Sequence, residues 1–369
     1  MTVVDMVRFG QERRSRRGSG DVIDEQHIRD AYLGLFNRNA ESDAVVTLHA
    51  GRFDTVHDML RAFVETPEFK KKHPAAPARE SLYDGLAPGD EALLARYLVQ
   101  SEPEPEFVMS FVGVRTRASH AGAFATLGGR TFNDIPTRLQ DYHAEPIEFV
   151  GTLRAVEAGA GPFVGVELGA GWGSWAVTSG HIARKLGRSP IKLYAVEGND
   201  RKIVNIRTHM ADNGFNPDEH VQVSAVIGAR DGYALFPITE ATEGWGSSAI
   251  FTEENADRAG YERVRSISLE TLLKDEALID FVHFDVQGAE AEAVAAAIDT
   301  LTAKVRYLVI GTHSRAIEGR LIDTLGPRGW ILENEQPARN RFDRPGVEIL
   351  VADGTQVWRN PAIPILGTH

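Results

Sequence analysis

The chain of 369 residues contains no cysteine. That absence excludes a disulfide framework, a cysteine nucleophile and a thiolate metal site, and it accords with a reducing compartment. No apolar run approaches the ~18 residues that span a bilayer. The start has no hydrophobic stretch of the secretory kind. Basic charge is also in short supply: 40 lysines and arginines stand against 52 acids, a net charge of −12. A surface this acidic lacks the basic footprint that holds a phosphate backbone, so nucleic acid is not the expected partner. What is present is ordinary globular composition, 43% hydrophobic and 25% charged, which excludes a disordered chain. The expectation is a cytoplasmic protein of about two domains. Residues 1–20 concentrate Arg8, Arg13, Arg14, Arg16 and Arg17 and read as a flexible, solvated arm.

Periodicity divides the rest. In residues 24–36, Ile28, Ala31, Tyr32, Leu35 and Phe36 share one helical face, and residues 43–50 continue the helical pattern. Thr55 can cap a further helix in which Val56, Met59, Leu60 and Phe63 recur. A helical module over 21–75 results, suited to oligomerisation or to docking a protein partner. Prolines and glycines over 73–90 mark a linker. The span 76–145 reads as linker plus a mixed helical segment, from which His143, Tyr142 and Arg115 are candidates to lid a site. From 146 to 369 short β-branched runs alternate with helical ones, with strands at 163–168, 191–196, 221–226, 281–286 and 306–312. This predicts a Rossmann-like α/β domain, a doubly wound and mostly parallel seven-stranded sheet. The runs 330–335 and 346–353 have no helix between them, so they are expected to pair as a hairpin with one strand antiparallel to the rest.

The densest signal is Glu167-Leu-Gly169-Ala170-Gly171-Trp172-Gly173-Ser, where the first strand meets the first helix. In open α/β sheets ligands bind beyond the carboxyl ends of strands. Glycines there let the backbone turn sharply and approach a ligand, and the helix start favours an anion. The dinucleotide fingerprint fails, because Ser174 takes the third glycine position; no Gly-Lys-Ser/Thr follows either. An acid two residues before the first glycine repels a pyrophosphate but can receive an ammonium group. The second strand ends in Glu197, placed to accept hydrogen bonds from both hydroxyls of a ribose. Ribose, amine and carboxylate together describe S-adenosylmethionine.

Residues 146–362 resemble the FkbM-type family of S-adenosylmethionine-dependent methyltransferases. The motifs that carry the resemblance are VELGAGWGSW (166–175), VEGND (196–200), HFDVQGAE (283–290), IGTHSRAIEGRL (310–321) and DGTQVWRNP (353–361). One departure is Gln287, where many relatives carry glutamate. The helical segments YLGLFNRN (32–39) and FVETPEF (63–69) are similar to a short module attached to glycan-modifying domains. The resemblance implies O-methylation of a hydroxyl on a sugar, a glycan or a secondary metabolite.

The expected cofactor contacts are Glu167, Gly169, Ala170, Gly171, Trp172 and Gly173 in the first loop. Glu197, Gly198 and Asn199 follow the second strand, Val226 ends the third and Asp285 the fourth. Methyl transfer to an alcohol needs alignment and removal of a proton. His313, at the end of the fifth strand, is the expected base, with Asp285 organising the site. Asp285, Glu290 and His313 are also candidates for a divalent cation. His283 reads as a core histidine. Trp245, Gln287 and His143 are candidate acceptor contacts. Two other readings stay open: a dinucleotide-dependent oxidoreductase on a similar fold, and a catalytically idle binding or scaffold protein.

Overall fold

A computed structural model describes residues 23–36, 38–53, 55–72, 85–136, 143–244, 246–252, 257–345 and 347–366. The arm at 1–20, Tyr142 and Trp245 lie outside the described residues. The chain divides into two compact units, 1–79 and 80–369. Among the described residues no helix is long and apolar enough to cross a membrane.

In the first unit, α1 (Glu25–Phe36), α2 (Asp43–Ala50), α3 (Val56–Val64) and α4 (Pro67–Lys72) form a small helical cluster. Ser42 and Thr55 cap α2 and α3 by accepting from Val45 and Asp58 backbone N–H groups, which satisfies orphan donors of the first turn. The predicted stripe closes the core: Ile28, Tyr32, Leu35, Phe36, Val46, Met59 and Phe63 are buried together.

The second unit opens with α5 (Asp90–Arg96), the short antiparallel pair β1 (Phe107–Met109) and β2 (Arg115–Arg117), and α6 (Pro146–Glu157). Leu93, Leu94, Phe111 and Val112 join Phe149, Phe163 and Trp175 in one apolar cluster. The segment before residue 146 is therefore part of this unit's core. The α/β succession follows: β3 (Phe163–Leu168), α7 (Ser174–Lys185), β4 (Ile191–Glu197), α8 (Ile203–Asp212), β5 (Val221–Ser224), β6 (Val226–Ile227), β7 (Gly232–Pro237), β8 (Ile250–Thr252), β9 (Tyr261–Ile267), α9 (Leu269–Leu272), β10 (Ile279–Phe284), α10 (Glu290–Ala296), α11 (Ile298–Lys304), β11 (Val305–Thr312), α12 (Arg315–Leu325), β12 (Ile331–Gln336), β13 (Arg339–Arg344), β14 (Val347–Ala352) and β15 (Gly354–Arg359).

The main sheet has seven strands in the order β12-β15-β11-β10-β3-β4-β5, and β15 alone runs antiparallel to its neighbours. β3, β10 and β11 are buried nearly throughout, as expected for central parallel strands covered on both faces. One face packs on α6 and α7, the other on α10 to α12.

Two pairings differ from the sequence expectation. The run 347–352 pairs with 339–344 as its own hairpin, β13–β14, and the strand that inserts between β11 and β12 is 354–359. The connection between the two runs contains a strand of its own, 339–344. GTQVWR, not the preceding run, supplies the almost fully buried strand. The third strand was expected over 221–226 but ends at Ser224, and Val226 opens β6 in a second sheet, β6-β9-β7-β8, that the sequence reading did not foresee.

Candidate functional site

A cavity of about 400 Å³ opens at the carboxyl ends of β3, β4, β10 and β11. Its floor begins with the loop after β3. Gly169, Gly171 and Gly173 have φ of 79°, 58° and 84°, the left-handed region that glycine enters without strain. A side chain on Gly169 would run into the Asp285 carbonyl, whereas the space beside Gly171 is open. The Gly169 and Ala170 amides both donate to the Val196 carbonyl at 2.9 Å, tying the loop to β4.

Two buried carboxylates flank this loop and do different things. Glu167 Oε1 accepts from Ser174 Oγ (3.0 Å) and Trp175 N (2.9 Å), and Oε2 accepts from Ala176 N (2.9 Å). Glu167 thus satisfies orphan amides at the start of α7, where a negative charge is favoured. Burial pushes its carboxyl up to about 7, against the pull of His283 and the helix donors. Glu197 Oε2 accepts from Gly171 N (2.7 Å) and Oε1 from Asn199 N (2.8 Å). Burial raises this carboxyl too. A carboxylate has about four acceptor positions, so Glu197 keeps capacity for two further donors.

Beyond Glu197 the wall turns apolar. A Cβ on Gly198 would lie 2.8 Å from Val226 Cγ1 and 3.1 Å from the Phe236 ring. With Ala225, Ile227 and Ala249 these form an apolar stretch of the wall. The connection from β7 to β8 walls the cavity. Asn199 Nδ2 donates to Thr239 O and Oγ1 at 3.1 Å, Gly122 N to Thr242 O at 3.0 Å, and Ser248 Oγ to Gln287 O at 2.9 Å.

The opposite end is polar and acidic. Asp285 accepts from Gln287 Nε2 at 2.6 Å, and Gln287 itself has φ of 56°. His313 Nδ1 lies 2.9 Å from Glu290 Oε1, and Nε2 lies 3.4 Å from Asp285 Oδ1 and 4.0 Å from Asp353 Oδ1. Burial opposes a charge on His313, but the hydrogen bonds and charges of Asp285 and Glu290 outweigh it and hold the imidazole up to about 10. Enclosure likewise works to raise Asp285, and the His313 contact outweighs it, leaving this carboxyl below its usual range. The two carboxylates thus favour the imidazolium form of His313. A base or a metal ligand needs a free nitrogen lone pair, and both ring nitrogens here face carboxylates. Glu290 accepts from Gly288 N at 3.0 Å and from Val286 N at 3.3 Å. Among the described residues no group of three or more histidines and acids could hold a metal ion. The three candidate cation ligands, Asp285, Glu290 and His313, do lie side by side.

Of the residues singled out in sequence, Trp172 and His143 stand at the cavity wall with ring centroids 5.7 Å apart. Arg115 does not line it; it pairs with Glu104 at 2.5 Å and lies over Phe107. The wall residues not picked out as site residues include Glu148, Trp175, Phe236, His283 and Asp353. His283 had one usable signal, its alternation with Asp285 along β10.

The model of the methyltransferase FkbM domain matches residues 164–325. A protein of Jannaschia sp. (strain CCS1) named "Putative methyltransferase" is 33% identical over 273 residues, spanning 70% of this chain and 94% of that protein. Among solved structures, the C-terminal domain of precorrin-6Y C5,15-methyltransferase from Rhodobacter capsulatus is 14% identical over 60% of this chain and 90% of that one, with a TM-score of 0.32. The Geobacter metallireducens GS-15 precorrin-6y C5,15-methyltransferase is 12% identical over 58% and 87%, also at 0.32. Scores this low add no argument of their own. The motifs around the cavity, the domain match and the relative that spans most of the chain agree, and the chain belongs to the FkbM methyltransferase family.

Proposed function

We propose that the chain uses S-adenosylmethionine to methylate a hydroxyl of a small acceptor, a sugar or a secondary metabolite. The observation that carries the cofactor reading is Glu197: a buried carboxylate at a strand end, bridged to the glycine loop and retaining two acceptor positions. The residues present fit the nucleoside. The apolar wall at Gly198, Val226 and Phe236 suits a purine, Glu197 a ribose, and the open space beside Gly171 a close approach of ligand to backbone. When bound, the cofactor supplies an electrophilic methyl on a sulfonium.

The chain's own task is then alignment and proton removal. Asp285 stands at the end of β10 with its side chain 38% exposed, ready to accept the acceptor's hydroxyl proton as that oxygen becomes acidic in the transfer. His313 is a positioning residue: its charge and hydrogen bonds fix Asp285 between Gln287 and the imidazolium. Lys202 is the single lysine or arginine among the described wall residues, whereas Asp285, Asp353, Glu145 and Glu148 crowd the far end. That field repels a phosphorylated or carboxylated acceptor and favours a neutral polyol. A dinucleotide is opposed by the serine at the third glycine position and by the carboxylates beside the loop.

Calorimetry with S-adenosylhomocysteine tests the reading. We expect one site in the wild type and about 100-fold weaker binding in Glu197→Ala, the scale of losing two hydrogen bonds to a charged group. Equal affinity in the variant removes Glu197 from the ribose.

A further inference from the structure

The ammonium group at the amino-acid end of the cofactor needs a partner, and Glu167, the acid that the sequence offers, is committed elsewhere. All three of its hydrogen bonds go to the start of α7, and it is 2% exposed. We infer that Glu148, paired with His283, receives that ammonium; the inference rests on the S-adenosylmethionine reading above.

Topology sets the place. The strand order β4-β3-β10 carries a ligand from Glu197 across the glycine loop to the boundary of β3 and β10, where Glu167 and His283 are register partners. The first turn of α6 is brought to the same boundary. Glu145 and Glu148 form a capping box there, with Pro146 at the first helical position. Glu148 Oε2 accepts from Glu145 N at 2.9 Å, and Oε1 lies 3.1 Å from His283 Nε2. Two of its acceptor positions remain, and its side chain is 16% exposed at the cavity wall.

The other carboxylates of this region have partners of their own. Glu145 caps Glu148 and accepts from Gln336 Nε2. Asp285 is held by Gln287 and His313.

His283 fixes the position of Glu148 at the cavity wall. It is 2% exposed and lines the cavity, its ring stacks on Trp175 (5.1 Å between centroids, 26° between planes), and its Nδ1 has no hydrogen-bond partner among the described residues. Through Nε2, His283 orients the Glu148 carboxylate. A primary ammonium has three donors, and Glu148 offers it its two remaining acceptor positions. Trp172, Trp175 and His143 ring the same space, and aromatic rings favour a cation.

The test is calorimetry on the full chain with three probes. These are S-adenosylhomocysteine, its deaminated analogue that keeps the carboxylate, and methylthioadenosine, which lacks the amino-acid end. Glu148→Gln should weaken S-adenosylhomocysteine tenfold or more and leave the other two within about twofold. His283→Asn should discriminate among the probes in the same sense and serves if Glu148→Gln does not fold. The inference is overturned if Glu148→Gln binds S-adenosylhomocysteine as the wild type does, or if it loses all three probes equally. Wild-type chain that binds none of the three overturns the nucleoside reading, and the inference with it.

Discussion

At the nucleoside end of the cavity, three glycines in left-handed conformation and one carboxylate from the adjacent strand define the wall. At the far end, side chains from β10, β11, the start of α10 and the turn before β15 converge on a single imidazole. The first end is mostly backbone and local sequence; the second is assembled across the sheet. Backbone geometry tolerates little change, because a single Cβ collides with a main-chain atom. A side-chain constellation can be retuned one residue at a time, which suits the end where acceptors would be told apart.

The sharpest way to break this contrast is Gly169→Val. It places a β-branched residue at φ of 79° and drives its Cβ into the Asp285 carbonyl. We expect roughly 3 kcal/mol or more of lost stability and no detectable S-adenosylhomocysteine binding. Urea unfolding and calorimetry check both, and near-wild-type values would mean that the loop is adaptable after all. At the far end, Asp285→Asn keeps the shape and removes the proton acceptor. With an acceptor found by screening hydroxylated compounds, turnover should fall by about 10² to 10⁴, while S-adenosylhomocysteine affinity changes by no more than a few-fold. Unchanged turnover would strip Asp285 of its role.

The smallest effect separates the two roles open to His313. Its imidazole is raised from 6.5 to about 10 by Asp285 and Glu290, against burial. A raised histidine stabilises the fold fully below its unfolded value, and that contribution fades as pH climbs toward the folded one. The stability advantage of wild type over His313→Gln should therefore be largest at pH 6 and shrink steadily to pH 10 in urea unfolding. A constant or growing advantage would restore a neutral histidine at that position.

How much of this was legible follows the same divide. The loop 166–175 and Glu197 could be read because a strand, a glycine turn and a helix start are consecutive, so the sequence spacing is the spatial spacing. The strand bounds at 163–168 were equally plain, since a nearly buried parallel strand reads as a mostly apolar run. The pairing of Glu148 with His283 links positions 135 residues apart, and no local pattern announces it. Phe236 was hidden because β7 begins at a glycine and its first two residues are exposed, which breaks the alternation. The hairpin β13–β14 misled for a related reason. VEILVA has strand-forming residues, but exposed Leu350 and Val351 show that a run of that composition need not enter the sheet. His313 was recognisable as a site residue, yet its charge state depends on Asp285 and Glu290, acids from two other elements.

The central claim is that Glu197 holds a ribose while the chain beyond it runs over the glycine loop toward Asp285. A crystal structure with S-adenosylhomocysteine tests it directly. The account predicts both ribose hydroxyls on Glu197, the purine between Val226 and Phe236, and the sulfur facing Asp285. A nucleoside found outside this cavity, or one lying in it with its ribose away from Glu197, would contradict the account.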